Sequence, residues 1–185
     1  MSAKGKSTTS SFIPWDQFLE LIAKLEQDKK PLFVLLFSIG GFTGLRISDI
    51  LTMKYENFRN GNFSIKEKKT GKNRVITFND ELKKIVTRNA RSEKGLIFTG
   101  KSGDVLSIQY INQTLKKIAT TYGIKGNVSC HSLRKTFGRR IWDSHNQSDA
   151  SLIKLSDIFN HSSTATTRRY LGITAQEIEN VYLSM

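Results

Sequence analysis

The chain has a single cysteine among its 185 residues. An internal disulfide is therefore excluded, and a reducing compartment fits. Prolines number two: Pro14 suits the first turn of a helix, and Lys29-Lys30-Pro31 breaks that helix. No apolar run reaches the roughly 18 residues that a membrane span needs. The three histidines, His131, His145 and His161, show no H-x-x-x-H spacing, and Cys130 simply abuts His131. No metal and no other cofactor is expected on that pattern. The G-x-S-x-G elbow of a serine hydrolase is missing. So is a glycine-rich dinucleotide fingerprint, and G-K-S-G-D at 100–104 lacks the frame of a phosphate-binding loop.

Acidic residues are also scarce, with 16 Asp and Glu against 29 Lys and Arg, a net charge of +13. Such an excess points to a polyanionic partner, nucleic acid first, rather than a merely solvated basic surface. No aromatic RNP-type motif directs it to RNA. Hydrophobic residues make up 38% and aromatics 10%, enough for the core of one domain. Residues 1–11 are polar, contain no secretory h-region and read as a flexible lead or linker.

Hydrophobic spacing predicts a mainly helical chain. Pro14–Gln27 carries Trp15, Phe18, Leu19, Ile22 and Leu25 on one stripe. Leu32–Phe42 is almost wholly apolar and reads as a buried helix. A short helix is expected over Leu45–Met53, with Arg46 and Asp49 placed to pair across one turn. Arg46 is then either a surface ion pair or an arginine braced by Asp49 and aimed at a phosphate. Phe63–Phe78 alternates like a hairpin turning at Gly71. Its Lys66, Lys68, Lys69, Lys72 and Arg74 make either a solvated edge or a basic finger for a nucleic-acid groove. Gly95–Thr99 reads as a third short strand. Helices follow over Asp80–Ala90, Ser107–Tyr122, His131–Ser144 and Asp149–Phe159, and Thr164–Leu171 is a short helix or a turn carrying Tyr170. A final amphipathic stretch opens on the capping pattern Thr174-x-x-Glu177 and carries Ile178, Val181, Tyr182 and Met185 on one side.

The chemistry concentrates between Cys130 and Gly172. His131 and Arg134 lie three residues apart on one helix, and His161 precedes Tyr170 by nine. Fixed cations beside a phenol are what attack on a phosphodiester requires. Four pieces, T-G-L-R-I-S-D-I-L at 43–51, K-T-G-K at 69–72, H-S-L-R at 131–134 and N-H-S-S-T-A-T-T-R-R-Y at 160–170, together resemble the tyrosine recombinases, the family of phage and transposon integrases.

The resemblance runs from about Phe12 to the C-terminus. It implies an α+β, mainly α catalytic fold with a small three-stranded antiparallel sheet, acting on double-stranded DNA. It assigns Arg46 and Arg134 to the scissile phosphate with a hydrogen bond from His161, His131 or the arginine field to assist loss of the phenol proton, Asp49 to support Arg46, Lys69 (or Lys68 in a shifted register) to the leaving oxygen, and Tyr170 to nucleophilic attack. Lys66, Lys68, Lys72, Arg74, Lys135, Arg168 and Arg169 are expected to contact DNA. The family usually has Gly where Asn160 stands; Asn tolerates left-handed backbone next best, so only turn detail should change.

The resemblance further implies a homotetramer on paired sites, monomeric in isolation, in bacterial or phage-encoded, nucleoid-associated cytoplasmic use. Residues 12–173 would form the catalytic domain, and 174–185 a segment that docks on a neighbour or completes its own core. Without the family's upstream clamping domain, the chain reads as an isolated catalytic domain rather than a short family member. Two alternatives stand beside this reading: relaxation of supercoils in the manner of a type IB topoisomerase, and a catalytically silent DNA-binding module.

Overall fold

The computed structural model describes residues 9–59, 61–66, 71, 73–173 and 182–185, the side chains of Phe63 and Arg74 excepted. Lys68, Lys69 and Lys72 lie outside the described residues, as do Thr174, Glu177, Ile178 and Val181.

Helix α2 (Pro31–Thr43) is the axis of the domain, buried continuously from Val34 to Gly41. Its lack of a polar face means that it must be covered all round. Helix α1 (Trp15–Gln27) covers one side with Phe18, Leu21, Ile22 and Leu25. Helix α4 (Asp80–Asn89), capped by the Asn79 side chain, covers another with Leu82, Ile85 and Val86. Helix α6 (Cys130–Ser144) crosses close by, because Gly40 presents no side chain where a Cβ would stand 2.7 Å from Cβ of Leu133. Helix α5 (Ile108–Thr121), with Ser107 as N-cap, adds Ile111, Leu115 and Ile118.

A second, smaller apolar cluster joins α6 to α7 (Asp149–Phe159) and α8 (Thr164–Leu171) through Trp142, Leu152, Leu155, Phe159 and Leu171. Among the described residues no helix is long and apolar enough to cross a membrane.

Two expectations need correction. The helix after Gly44 spans only Ile47–Ile50 (α3). Gly44 ends α2 in the left-handed region at φ 61°, and Arg46 is extended at φ −71°, ψ 146°. The chain must therefore turn before it can re-enter a helix, and Arg46 precedes α3 instead of lying on its face.

The sheet, among the described residues, has two strands: β1 (Asn62–Lys66) pairs antiparallel with β2 (Asn73–Thr77), Asn62 opposite Thr77. Gly95–Thr99 adds no third strand. It makes one isolated bridge at Leu96 with Lys54 and another at Thr99 with Val105. Lys54 leads directly into a 3-10 turn over Tyr55–Phe58, so no extended partner continues the ladder.

The stretch read as a flexible lead is held at its end. Ser11 exchanges bonds with Asn127: Ser11 N–H donates to the Asn127 carbonyl at 3.0 Å, and Asn127 N–H to Ser11 Oγ at 3.1 Å. Ile13 N–H donates to Thr136 Oγ1 at 2.9 Å.

Candidate active site

Three helix ends build the site. At the start of α6, Ser129 Oγ accepts from His131 N–H at 3.2 Å, and Ser132 Oγ accepts from Ser129 N–H at 3.0 Å. Asn112 Oδ1, from α5, accepts from Cys130 N–H at 2.9 Å. First-turn amides have no intrahelical acceptor, so these side chains set where the helix begins. His131 thereby stands exposed at the mouth, and Arg134, one turn on, points inward at 4% exposure.

At the end of α7, Asn160 adopts φ 49°, ψ 51°, the left-handed conformation anticipated for it. That turn leaves the Phe159 carbonyl among the unpaired acceptors of a helix C-terminus. Arg134 Nη2 donates to it at 2.9 Å, and Arg46 Nη2 donates to it at 3.2 Å. Arg134 Nη1 also donates to the Gly44 carbonyl, and the guanidinium lies 4.3 Å from the Phe159 ring centroid. Residues 46 and 134 thus meet at one oxygen. Asp49, in α3, is buried at 1% exposure.

Helix α8 brings Tyr170 to the same point. Its ring meets Phe159 edge-on at 5.6 Å and His161 edge-on at 5.2 Å. Burial pushes its phenol up to about 12, against the opposing pull of the Arg134 and Arg46 charges. His161 is anchored by its backbone N–H to the Ser156 carbonyl at 2.9 Å and by Nδ1 to Thr167 Oγ1 at 2.9 Å. Arg46, His131, Arg134, His161 and Tyr170 together line one cleft of ≈ 460 Å³, which Ile108 and Cys130 also line. Burial pushes the Cys130 thiol up to about 11, so it stays protonated at neutral pH. The cleft therefore gathers cationic donors around a protonated phenol, an arrangement suited to a bound phosphate.

Of the residues expected to touch DNA, Lys135 is internal. It is 5% exposed, and its Nζ donates to the Ser10 carbonyl at 2.8 Å and sits 5.2 Å from the Tyr170 ring centroid. The step from Arg134 to Lys135 rotates it off the open side of α6 into the packing against residue 10. Arg168 Nη1 lies 3.8 Å from Asp149 Oδ1, whereas Arg169 and Lys66 are exposed. Among the described residues no cluster of His, Cys, Asp and Glu could hold a metal ion.

Sequence reasoning missed Thr167, Ser156 and the Phe159 carbonyl. Thr167 lies three residues before Tyr170, one helical turn away. That spacing was a readable signal, whereas a backbone oxygen has none.

This helical domain, with its cationic cleft between helix ends, has the catalytic-domain fold of the tyrosine recombinases. It superposes on the XerA recombinase with a TM-score of 0.72 at 18% identity, covering 97% of this chain and 66% of that one. It superposes on a lambda integrase dimer bound to a COC' core site with a TM-score of 0.69 at 18% identity, covering 92% and 62%. The phage integrase family pattern matches residues 12–177, and the chain belongs to that family.

It is 29% identical over 162 residues to the probable integrase/recombinase YoeC of Bacillus subtilis (strain 168), covering 85% of this chain and 86% of that protein. It is 28% identical over 166 residues to the tyrosine recombinase XerC of Rickettsia canadensis (strain McKiel), covering 86% of this chain but 52% of that one. The chain thus spans about half the length of its XerC relatives.

Proposed function

We propose that the chain is a site-specific DNA recombinase that cuts and rejoins strands through a 3′-phosphotyrosyl intermediate. The observation that carries this reading is the Phe159 carbonyl, which accepts from both Arg46 and Arg134 beside the ring of Tyr170. Two guanidiniums that share one oxygen acceptor can share the oxygens of one phosphate.

On this reading the phenolic oxygen of Tyr170 forms a bond to the scissile phosphorus while the bond to the 5′ oxygen breaks. The phenol proton passes to His131, and Lys69 supplies a proton to the departing 5′ oxygen. Arg46, supported by Asp49, and Arg134 neutralise the charge that builds on the non-bridging oxygens, and His161 adds a hydrogen bond. Preorganised donors of this kind are commonly the largest catalytic contribution.

The phosphotyrosyl ester keeps the energy of the broken bond, so the reverse attack by a 5′ hydroxyl reseals the strand with neither nucleotide nor metal. Two such exchanges proceed through a Holliday junction. Double-stranded DNA is the partner, and a homotetramer on paired sites the working form, with the isolated chain a monomer in the cytoplasm of a bacterium. Exposed Tyr182, Leu183 and Met185 support docking of residues 174–185 on a neighbour.

The test is a nicked suicide duplex resolved on a denaturing gel. Wild type should give a covalent adduct, and Tyr170→Phe none. An adduct that persists in Tyr170→Phe refutes the assignment. Binding with no adduct leaves a silent module. Relaxation of any plasmid regardless of sequence moves the chain to the topoisomerase class.

A further inference from the structure

Thr167 is fully buried, at 0% exposure, directly behind His161. Its Oγ1 lies 2.9 Å from His161 Nδ1, 2.8 Å from Ser156 Oγ and 3.4 Å from the Ser163 carbonyl. A hydroxyl has one proton to give. The Ser163 carbonyl is a poor claimant, since O–H···O bonds usually fall at about 2.5–3.0 Å. Ser156 carries its own proton and can donate it to Thr167. The reverse chain, His161 to Thr167 to Ser156, fills the same two short contacts but leaves the proton of the buried Ser156 hydroxyl with no acceptor among the described residues, so the chain that uses every hydroxyl proton runs Ser156 to Thr167 to His161, with Nδ1 as the acceptor. His145 offers the opposite case in the same molecule. Its Nδ1 lies 2.9 Å from the Ile141 carbonyl, which can only accept, and 3.1 Å from Ser144 Oγ, whose own proton goes to that same carbonyl at 3.1 Å, an arrangement that favours the proton on Nδ1.

We propose that Thr167, backed by Ser156, is a positioning residue for strand cleavage: it holds the neutral ring of His161 in the tautomer protonated at Nε2. The inference rests on the recombinase reading for its consequence, though not for its geometry. His161 lines the cleft with Arg46 and Arg134 and stands edge-on to Tyr170. A ring protonated at Nε2 can donate to a phosphate oxygen without first taking up a proton, so it works at neutral and mildly alkaline pH. Without the Thr167 hydroxyl, nothing in this chain of three would stop the ring proton from moving to Nδ1. The nitrogen left to meet the phosphate would then be a lone pair, which repels it. Thr167 touches neither DNA nor phosphorus; it acts through the ring, as outer residues do for histidines at other reactive centres.

The decisive measurement is a long-range proton–nitrogen correlation spectrum of the ¹⁵N-labelled chain near pH 8, where free imidazole is neutral. His161→Asn identifies the His161 signals by their loss. The expected pattern is an unprotonated Nδ1 and a protonated Nε2 for His161, with the reverse for His145. Thr167→Val keeps the side-chain shape and removes the hydroxyl. It should shift His161 toward the Nδ1-protonated form and slow adduct formation about 10–100-fold, the range usual for lost outer-sphere partners. Thr167→Ser should restore both, and Ser156→Ala should produce a weaker version of the Val result.

A wild-type His161 protonated at Nδ1 overturns the proposal. So does a Thr167→Val protein with the wild-type tautomer and an unchanged rate. Should Thr167→Val fail to fold, the wild-type spectrum and Ser156→Ala decide. Should wild type form no adduct, the recombinase reading falls and the spectrum still decides the tautomer.

Discussion

Gly138 is the point where the site can be disturbed without touching any of its polar groups. It lies on α6 facing α7 and α8, and a Cβ built there would stand 2.6 Å from Leu171 Cδ2, 2.9 Å from Phe159 Cζ and 3.0 Å from Phe159 Cε2. Gly138→Ala therefore forces Phe159 and Leu171 outward. Overpacking of this kind costs about 1–3 kcal/mol, whereas replacing a helical glycine by alanine returns about 1 kcal/mol. The net loss is then about 0–2 kcal/mol. At roughly 2–4 °C per kcal/mol for a domain of this size, the melting temperature should fall by up to about 8 °C.

Activity should fall further than stability. Phe159 supplies the carbonyl that Arg46 and Arg134 share, and Leu171 adjoins Tyr170. A misplacement of about 1 Å in such a site costs on the order of 100-fold. Thermal melts and adduct formation at a temperature where the variant is fully folded measure the two separately. A melting temperature that rises by about 2–4 °C, as an uncrowded glycine-to-alanine change would give, together with an unchanged cleavage rate, would refute the reasoning.

Three further outcomes are expected. Asn160→Gly should retain cleavage, because glycine adopts the left-handed turn freely, whereas Asn160→Val should lose about 1–2 kcal/mol and slow cleavage by moving the Phe159 carbonyl. Lys135→Met should leave the salt dependence of DNA affinity unchanged, because the ammonium is spent on Ser10; a slope reduced by about 0.9 would mean that it contacts a phosphate. On the alkaline side, burial raises Cys130 from 9.0 to about 11 and Tyr170 from 10.0 to about 12. Both groups hold their protons longer folded than unfolded, so stability is full below pH 9 and declines as pH rises through 9–12. Cys130→Ala should flatten the lower part of that decline in melts recorded from pH 8 upward, and an equal decline in both proteins would count against it.

Much of this was readable in advance. Helices α1, α5 and α7 follow from apolar residues recurring at helical spacing, with Pro14 and Ser107 marking the starts of the first two, since a helix that buries one face must repeat that face every turn; residues 164–171 read equally as a short helix or a turn, and they form helix α8. The left-handed turn at Asn160 was readable too, because few residues accept that backbone. The stretch after Gly44 was not. Its apolar positions suit a helix, yet Gly44 closes α2 with a turn that leaves Arg46 extended. The supposed third strand failed for a similar reason: β propensity does not say whether an extended neighbour exists to pair with.

Which side chains are proposed to carry the chemistry was written in the order and spacing of residues 43–51, 69–72, 131–134 and 160–170. Where they meet was decided by tertiary packing alone. Arg46 reaches a carbonyl 113 positions away in the chain, Lys135 is drawn inward by one 125 positions away, and Thr167 braces His161 across the end of a helix. Periodicity and motif spacing describe how neighbours along the chain are oriented. They hold no information on which backbone oxygen a distant guanidinium will find, because that depends on how two apolar clusters close against each other along α6.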